Sequence, residues 1–335
     1  LMFEYELVYK LKDQMSFTGS YEFQIDLNSS VRDSTLVLSP NELRFLVSRK
    51  QKVSLPAHAL KKNRIRILSN SLMLLSAAST IAPRLEHTFQ IIQSDGTKSM
   101  HPLPSICSLW PTVNSSNIVS LNDVPSFFKH DDKTKALRSS LSYLIESKNN
   151  PTQVGRRRLL WTSFNALYSY ITPTGNERSK LKGVSIAIRS SINSFTRSLK
   201  CLSYGLSEGY LQMLPWSSIT EQLKRGKQNN IDEHILEMDQ RIAKAYSSRL
   251  SSTGASGDIK KRVLGSYAKL ESSNDATALT YMVTRYLYSI RNATFHGESP
   301  CPVYPHEQRR PCDVWIEDLL EATIVDLASL INEKN

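Results

Sequence analysis

"NDATALTYMVTRYLYSIRNATFH", residues 274–296, decides how the second half of the chain is read. Leu279, Met282, Val283, Tyr286, Leu287 and Ile290 recur at three- and four-residue spacing, which predicts one apolar stripe on a helix. At about 100° per residue, Asn292 and His296 lie about 40° apart on one face, shared with Arg285 and Tyr288. Arg291 points roughly 140° from His296, but its long stem can swing toward the helix end. Gly297 suits a left-handed stop, and Pro300 forbids resumption. The stretch therefore offers an imidazole and a guanidinium together at a helix C-terminus, away from the core stripe. A simple cap accounts for the same residues, because a histidine in a last turn interacts well with the helix dipole. Arg291 and His296 nonetheless form the only arginine-to-histidine pair at four-to-six spacing in the sequence.

Outward from this helix, the period stays helical from about residue 130. "HDDKTKALRSSLSYLIES" (130–147) begins the pattern. "RRRLLWTSFNALYSYI" (156–171) carries Leu160, Phe164, Leu167 and Ile171, and "NERSKLKGVSIAIRSSINSF" (176–195) carries Leu181, Val184, Ile188 and Ile192. "CDVWIEDLLEATIVDLASLINEK" (312–334) turns Ile316, Leu319, Leu320, Ile324, Leu327 and Ile331 to one side. Amphipathic helices of this kind bury their stripes against one another in a bundle.

Residues 1–120 read differently. "FEYELVYKL" and "YEFQIDL" alternate apolar and polar residues with period two, the pattern of antiparallel sheet. "TLVLS", "LRFLVS", "RIRILSN" and "LMLLSAA" are further candidate strands, and "HTFQIIQSDGTKSMHPL" is a hairpin candidate with Asp95-Gly96 at its turn. The expected fold is α+β in two domains: an antiparallel β sandwich or roll over 1–120, of unknown binding role, then an all-α helical bundle over 130–335. The Pro-, Ser- and Asn-rich stretch 102–125 is the expected linker.

With 40% hydrophobic and 22% charged residues, the composition is that of a globular protein. No apolar run reaches membrane-spanning length, and no cleavable signal segment opens the chain, so a cytoplasmic location without membrane contact is expected. The formal net charge of +11 makes nucleic acid the first partner to consider. The four cysteines include no CxxC pair, which points to free thiols. Cys301, His306 and Cys312 match no standard zinc spacing, and no metal or cofactor is expected. Phosphate-loop, dinucleotide, HExxH and GxSxG motifs are absent.

Arg291, Asn292, three residues and His296 resemble the R-polar-x3-H motif of HEPN domains (higher eukaryotes and prokaryotes nucleotide-binding). "FNALY", at 164–168, looks like the first long helix of the Apea-like, FNALY-type subgroup. The resemblance covers roughly 130–335. It implies a metal-independent endoribonuclease whose site is composite, formed between two protomers of a homodimer. Arg291, Asn292 and His296 are then the catalytic residues, Arg285 and Tyr288 the nucleic-acid contacts, and Asn165 a supporting residue behind them. The residue types suit RNA cleavage, since histidine moves protons near neutrality and arginine's planar fork grips phosphate oxygens. By family analogy the protein is expected to be a toxin or phage-defence effector with RNA as substrate and an antitoxin or regulatory partner. The alternatives are a non-catalytic HEPN module that binds RNA or nucleotide, and an interaction protein in which 291–296 is only a cap.

Overall fold

The computed structural model describes residues 3–15, 17–27, 31–49, 62–78, 83–103, 131–225, 234–267, 270, 273–295 and 310–333. Contacts divide the chain into two compact units, Leu1–Pro151 with Ile331–Asn335, and Thr152–Leu330. The expected linker, 102–125, lies outside the described residues from 104 onward.

The first unit contains β1 (Phe3–Leu11), β2 (Tyr21–Leu27), β3 (Val31–Leu38), β4 (Glu42–Arg49), β5 (Leu85–Gln93) and β6 (Lys98–Pro102). They form one antiparallel sheet in the order β2-β3-β4-β1-β5-β6. The period-two pattern explains its centre. Tyr5, Leu7, Tyr9 and Leu11 of β1 are buried, opposite buried Leu43, Phe45 and Val47 of β4. Tyr9 stacks on Phe89 at 5.4 Å and meets Phe45 edge-on at 5.6 Å, so three strands share one aromatic cluster. The β5–β6 hairpin turns at Asp95-Gly96 as expected. Gly96 has φ +83°, and Asp95 Oδ1 accepts a 2.8 Å hydrogen bond from the Thr97 amide.

Two of the expected strands are not strands, and the described residues form one sheet rather than a sandwich or roll. "RIRILSN" and "LMLLSAA" fall within a single helix, α1 (Lys62–Ala78), which packs on α2 (Asp132–Asn149). Ile67, Leu68, Ser71, Leu72, Leu74 and Leu75 are buried at helical spacing. The alternation of Arg64-Ile65-Arg66-Ile67 covers only four residues. The Leu, Met, Ala and Ser run after it has helix-forming rather than β-branched character.

The second unit is helical: α3 (Gln153–Ile171), α4 (Glu177–Ser190), α5 (Thr196–Ser207), α6 (Tyr210–Met213), α7 (Ser217–Arg225), α8 (Gln240–Arg249), α9 (Gly257–Tyr267), α10 (Asp275–Tyr281), a π-helical turn (Met282–Tyr286), α11 (Leu287–Phe295) and most of α12 (Pro311–Glu333). Caps follow the local sequence. Thr152 Oγ1 accepts from Gly155 N, Asn176 Oδ1 from Ser179 N, and Asn274 Oδ1 from Thr277 N. Gly205 of α5 lies against the Trp315 indole so closely that a Cβ there would come within 2.0 Å of the ring. No described helix is long and apolar enough to cross a membrane.

Candidate functional site

The helix that carries the candidate residues starts at the Asn274 cap with Asp275 in its first turn, where an acidic group suits the dipole. It then widens. Met282–Tyr286 form a π turn, around which Thr284 Oγ1 donates to Thr280 O at 2.7 Å. Turns of this kind occur frequently at functional sites. Trp216 packs edge-on against Tyr286 at 5.0 Å and anchors the π turn from α7's side.

One turn further, Arg291 is held on three sides. Its Nη1 donates to Asn292 Oδ1 at 2.8 Å and to Glu177 Oε2 at 3.3 Å. Its Cζ lies 6.0 Å from the Trp161 ring centroid, within cation–π range. Glu177 is the first residue of α4, and its other oxygen accepts a 2.9 Å hydrogen bond from Tyr168 OH. Burial, reinforced by the Glu177 bond and charge, pushes the Tyr168 phenol far above its ordinary range, so it remains a donor. Tyr168 and Trp161 of α3, Glu177 of α4 and the Arg291-Asn292 pair of α11 thus form one polar chain. Both Arg291 and Glu177 keep 28% of their side-chain surface exposed, although Arg291 Nε itself is buried.

His296 lies outside the described residues, with Gly297, Pro300, Cys301 and His306. Arg285 and Tyr288 are close by on the same helix. Arg285 makes a two-pronged ion pair with Glu237, in which Nη2 donates to Oε1 at 2.7 Å. The Tyr288 ring is tilted against Trp161 at 6.1 Å. Asn165 is exposed and accepts from Ser169 Oγ, one turn along α3. Within the FNALY string it is Tyr168 that reaches Arg291's partner. Glu177 carries no sequence signal, since it meets Arg291 across 114 positions of chain. Of the arginine run at 156–158, Arg156 and Arg157 bind carboxylates of α12. Among the described residues no His, Cys, Asp and Glu cluster could hold a metal ion, and Cys201 and Cys312 are free thiols.

A second histidine, His234, is buried beside this helix. Its Nε2 lies 2.9 Å from Tyr281 OH. Burial, with Arg285 and Arg178 nearby and only Glu237 opposing, lowers its pKa from 6.5 to about 4. The unfolded chain therefore takes up a proton near pH 6.5 that the folded chain refuses until about pH 4. His234 stabilises the fold fully above pH 6.5, and that stability is lost as pH falls toward 4. Between pH 7.5 and 5, urea denaturation should show a loss about 2 kcal/mol larger in wild type than in His234→Phe. Equal losses in the two proteins would mean that His234 is not held neutral.

No protein-family model matches this chain, and neither a curated protein nor a solved structure resembles it significantly.

Proposed function

We propose that the chain is a metal-independent endoribonuclease of HEPN type, with Arg291, Asn292 and His296 as its catalytic residues. The observation that carries this reading is the partly exposed Arg291 side chain, fixed by Asn292, Glu177 and Trp161 and five residues before His296 in the sequence. In the reaction the ribose 2′-oxygen attacks the adjacent phosphorus, and its proton passes to a base. The phosphorus–5′-oxygen bond breaks, and an acid protonates the leaving oxygen. The products are a 2′,3′-cyclic phosphate and a 5′-hydroxyl. Arg291 stabilises the charge on the phosphorane oxygens, and Asn292 holds the guanidinium toward them. His296 supplies the proton transfers.

One histidine cannot be both base and acid in a single concerted event, so a homodimer with the two motif helices facing across a twofold axis completes the site. The helical unit is then a HEPN-like bundle, and the protein a cytoplasmic toxin or phage-defence effector governed by an antitoxin or regulatory partner. Subunit exchange tests the composite site. If each active site needs both histidines, an equimolar exchanged mixture of wild-type and His296→Ala chains should retain about a quarter of the cleavage activity of pure wild-type protein at the same total concentration. Retention of about half would mean that each protomer works alone.

The Arg291–Glu177 pair favours a second reading. A carboxylate at 3.3 Å offsets the arginine's charge and weakens its hold on a phosphorane, so the chain would be a module that binds RNA or nucleotide through other groups without cutting it. In that case RNA stays intact at high protein concentration.

A further inference from the structure

Beside the Arg291 cluster, α4 and the helix of the π turn enclose a cleft of about 680 Å³, within the size range of ligand sites. Its walls are unusually cationic. Arg178, Lys182 and Arg189 line it from α4, and Arg285 lines it from the π turn. Glu237 is the one acidic group among the lining residues, and it grips Arg285. His234 also lines the cleft, and adds no charge near neutral pH.

The spacing of these cations indicates the shape of the ligand. Positions 178, 182 and 189 follow one helical face across eleven residues, a rise of about 16 Å. A row of that length suits an extended polyanion better than a single phosphate. Its N-terminal end adjoins Glu177, which contacts Arg291. Tyr288 lines the cleft one turn before Arg291, where an aromatic ring can stack an unpaired base. Arg291 and Glu177 do not line the cleft themselves, but each lies within three residues of one that does, Tyr288 and Arg178.

We infer that this cleft seats the single-stranded RNA segment on one side of the phosphate held at Arg291, with Arg178, Lys182 and Arg189 tracking its backbone. The inference rests on the reading of Arg291 as the place of cleavage, but it is tested by binding alone. Glu237 has a definite part in it: it locks Arg285 in position and at the same time lowers the cleft's positive charge.

The test is fluorescence anisotropy of the full chain with a labelled 2′-O-methyl single-stranded 12-mer, which cannot be cut by 2′-hydroxyl attack. The triple variant Arg178→Gln, Lys182→Gln, Arg189→Gln should bind at least about tenfold more weakly and lower the salt slope by about 2. Glu237→Gln should bind about two- to fivefold more tightly, because it removes an anion from the cleft. A charge-matched control on α9, Lys260→Gln, Lys261→Gln, Arg262→Gln, should stay within about twofold of wild type. The inference is overturned if wild type does not bind the oligonucleotide, if the α4 triple loses no more affinity than the α9 control, or if Glu237→Gln weakens binding. The opposite signs expected for the α4 and Glu237 variants separate a site effect from loss of folding. RNA that is bound through the cleft but never cut would remove the nuclease reading and leave this one standing. RNA that is cut at an unchanged rate by the α4 triple would do the reverse.

Discussion

Arg291→Ala should reduce single-turnover RNA cleavage by at least about a thousandfold, mainly in the chemical step rather than in KM. Removing one oxyanion donor commonly costs a factor of about 10²–10³, and removing a transition-state arginine about 10³–10⁵. In a twofold site each substitution removes both copies of the residue. Arg291→Lys should restore little, because an ammonium lacks the planar fork that meets two phosphate oxygens at once. Stability should change far less than activity. The ion pair with Glu177 is more than a quarter exposed on both sides, and Tyr168 still satisfies the carboxylate once Arg291 is gone. With the Trp161 contact included, a loss of about 1–2 kcal/mol is expected. Thermal unfolding measured beside the rates separates the two effects. A variant that folds normally and still cuts RNA at near wild-type rate removes Arg291 from the chemistry.

The largest stability effect is expected at Glu317. Its side chain is only 2% exposed, yet it carries a carboxylate between two arginines of α3. Arg157 Nε donates to Oε1 at 3.1 Å, and Arg156 Nε lies 3.3 Å from Oε2. Asp313, Asp318 and Glu321 complete the network from the same helix. Glu317→Ala leaves two partly buried guanidinium groups without their central anion, and a loss of about 3–5 kcal/mol is expected. Glu317→Gln keeps the shape and part of the hydrogen bonding, so its cost should be smaller. Urea denaturation of the two variants checks this order. A loss below about 1 kcal/mol for the alanine variant would show that the network does not join α3 to α12.

These two residues also show what the sequence could and could not reveal. The strands of the sheet were legible where alternation was long, as in β1, because period two over nine residues has no helical counterpart, and at the β5–β6 hairpin through its Asp95-Gly96 turn. Alternation misled over residues 64–67, where four alternating residues lie within a helix. The apolar stripes of α3, α4 and α12 were legible for the same reason that β1 was, a sustained period. The charged partners were not. Nothing near Arg156 and Arg157 in the sequence announces their carboxylate partners, because Glu317 is 160 residues from Arg157. Glu177 and His234 were missed likewise: their meaning depends on groups brought together by folding. The π turn has no periodic signature, since ideal helical geometry places Arg285, Tyr288 and Asn292 on one face without it. The sequence pattern singles out Arg291 and Asn292, and folding brings Glu177, itself held by Tyr168, against Arg291.

The most direct test of the nuclease reading is to incubate the pure protein with single-stranded RNA, and separately with DNA of the same sequence, in excess EDTA, and to identify the new chain ends. RNA fragments ending in 2′,3′-cyclic phosphate and 5′-hydroxyl are expected, with intact DNA and no fragments with His296→Ala. Cut DNA, 5′-phosphate ends, or full activity in the His296→Ala protein would contradict it.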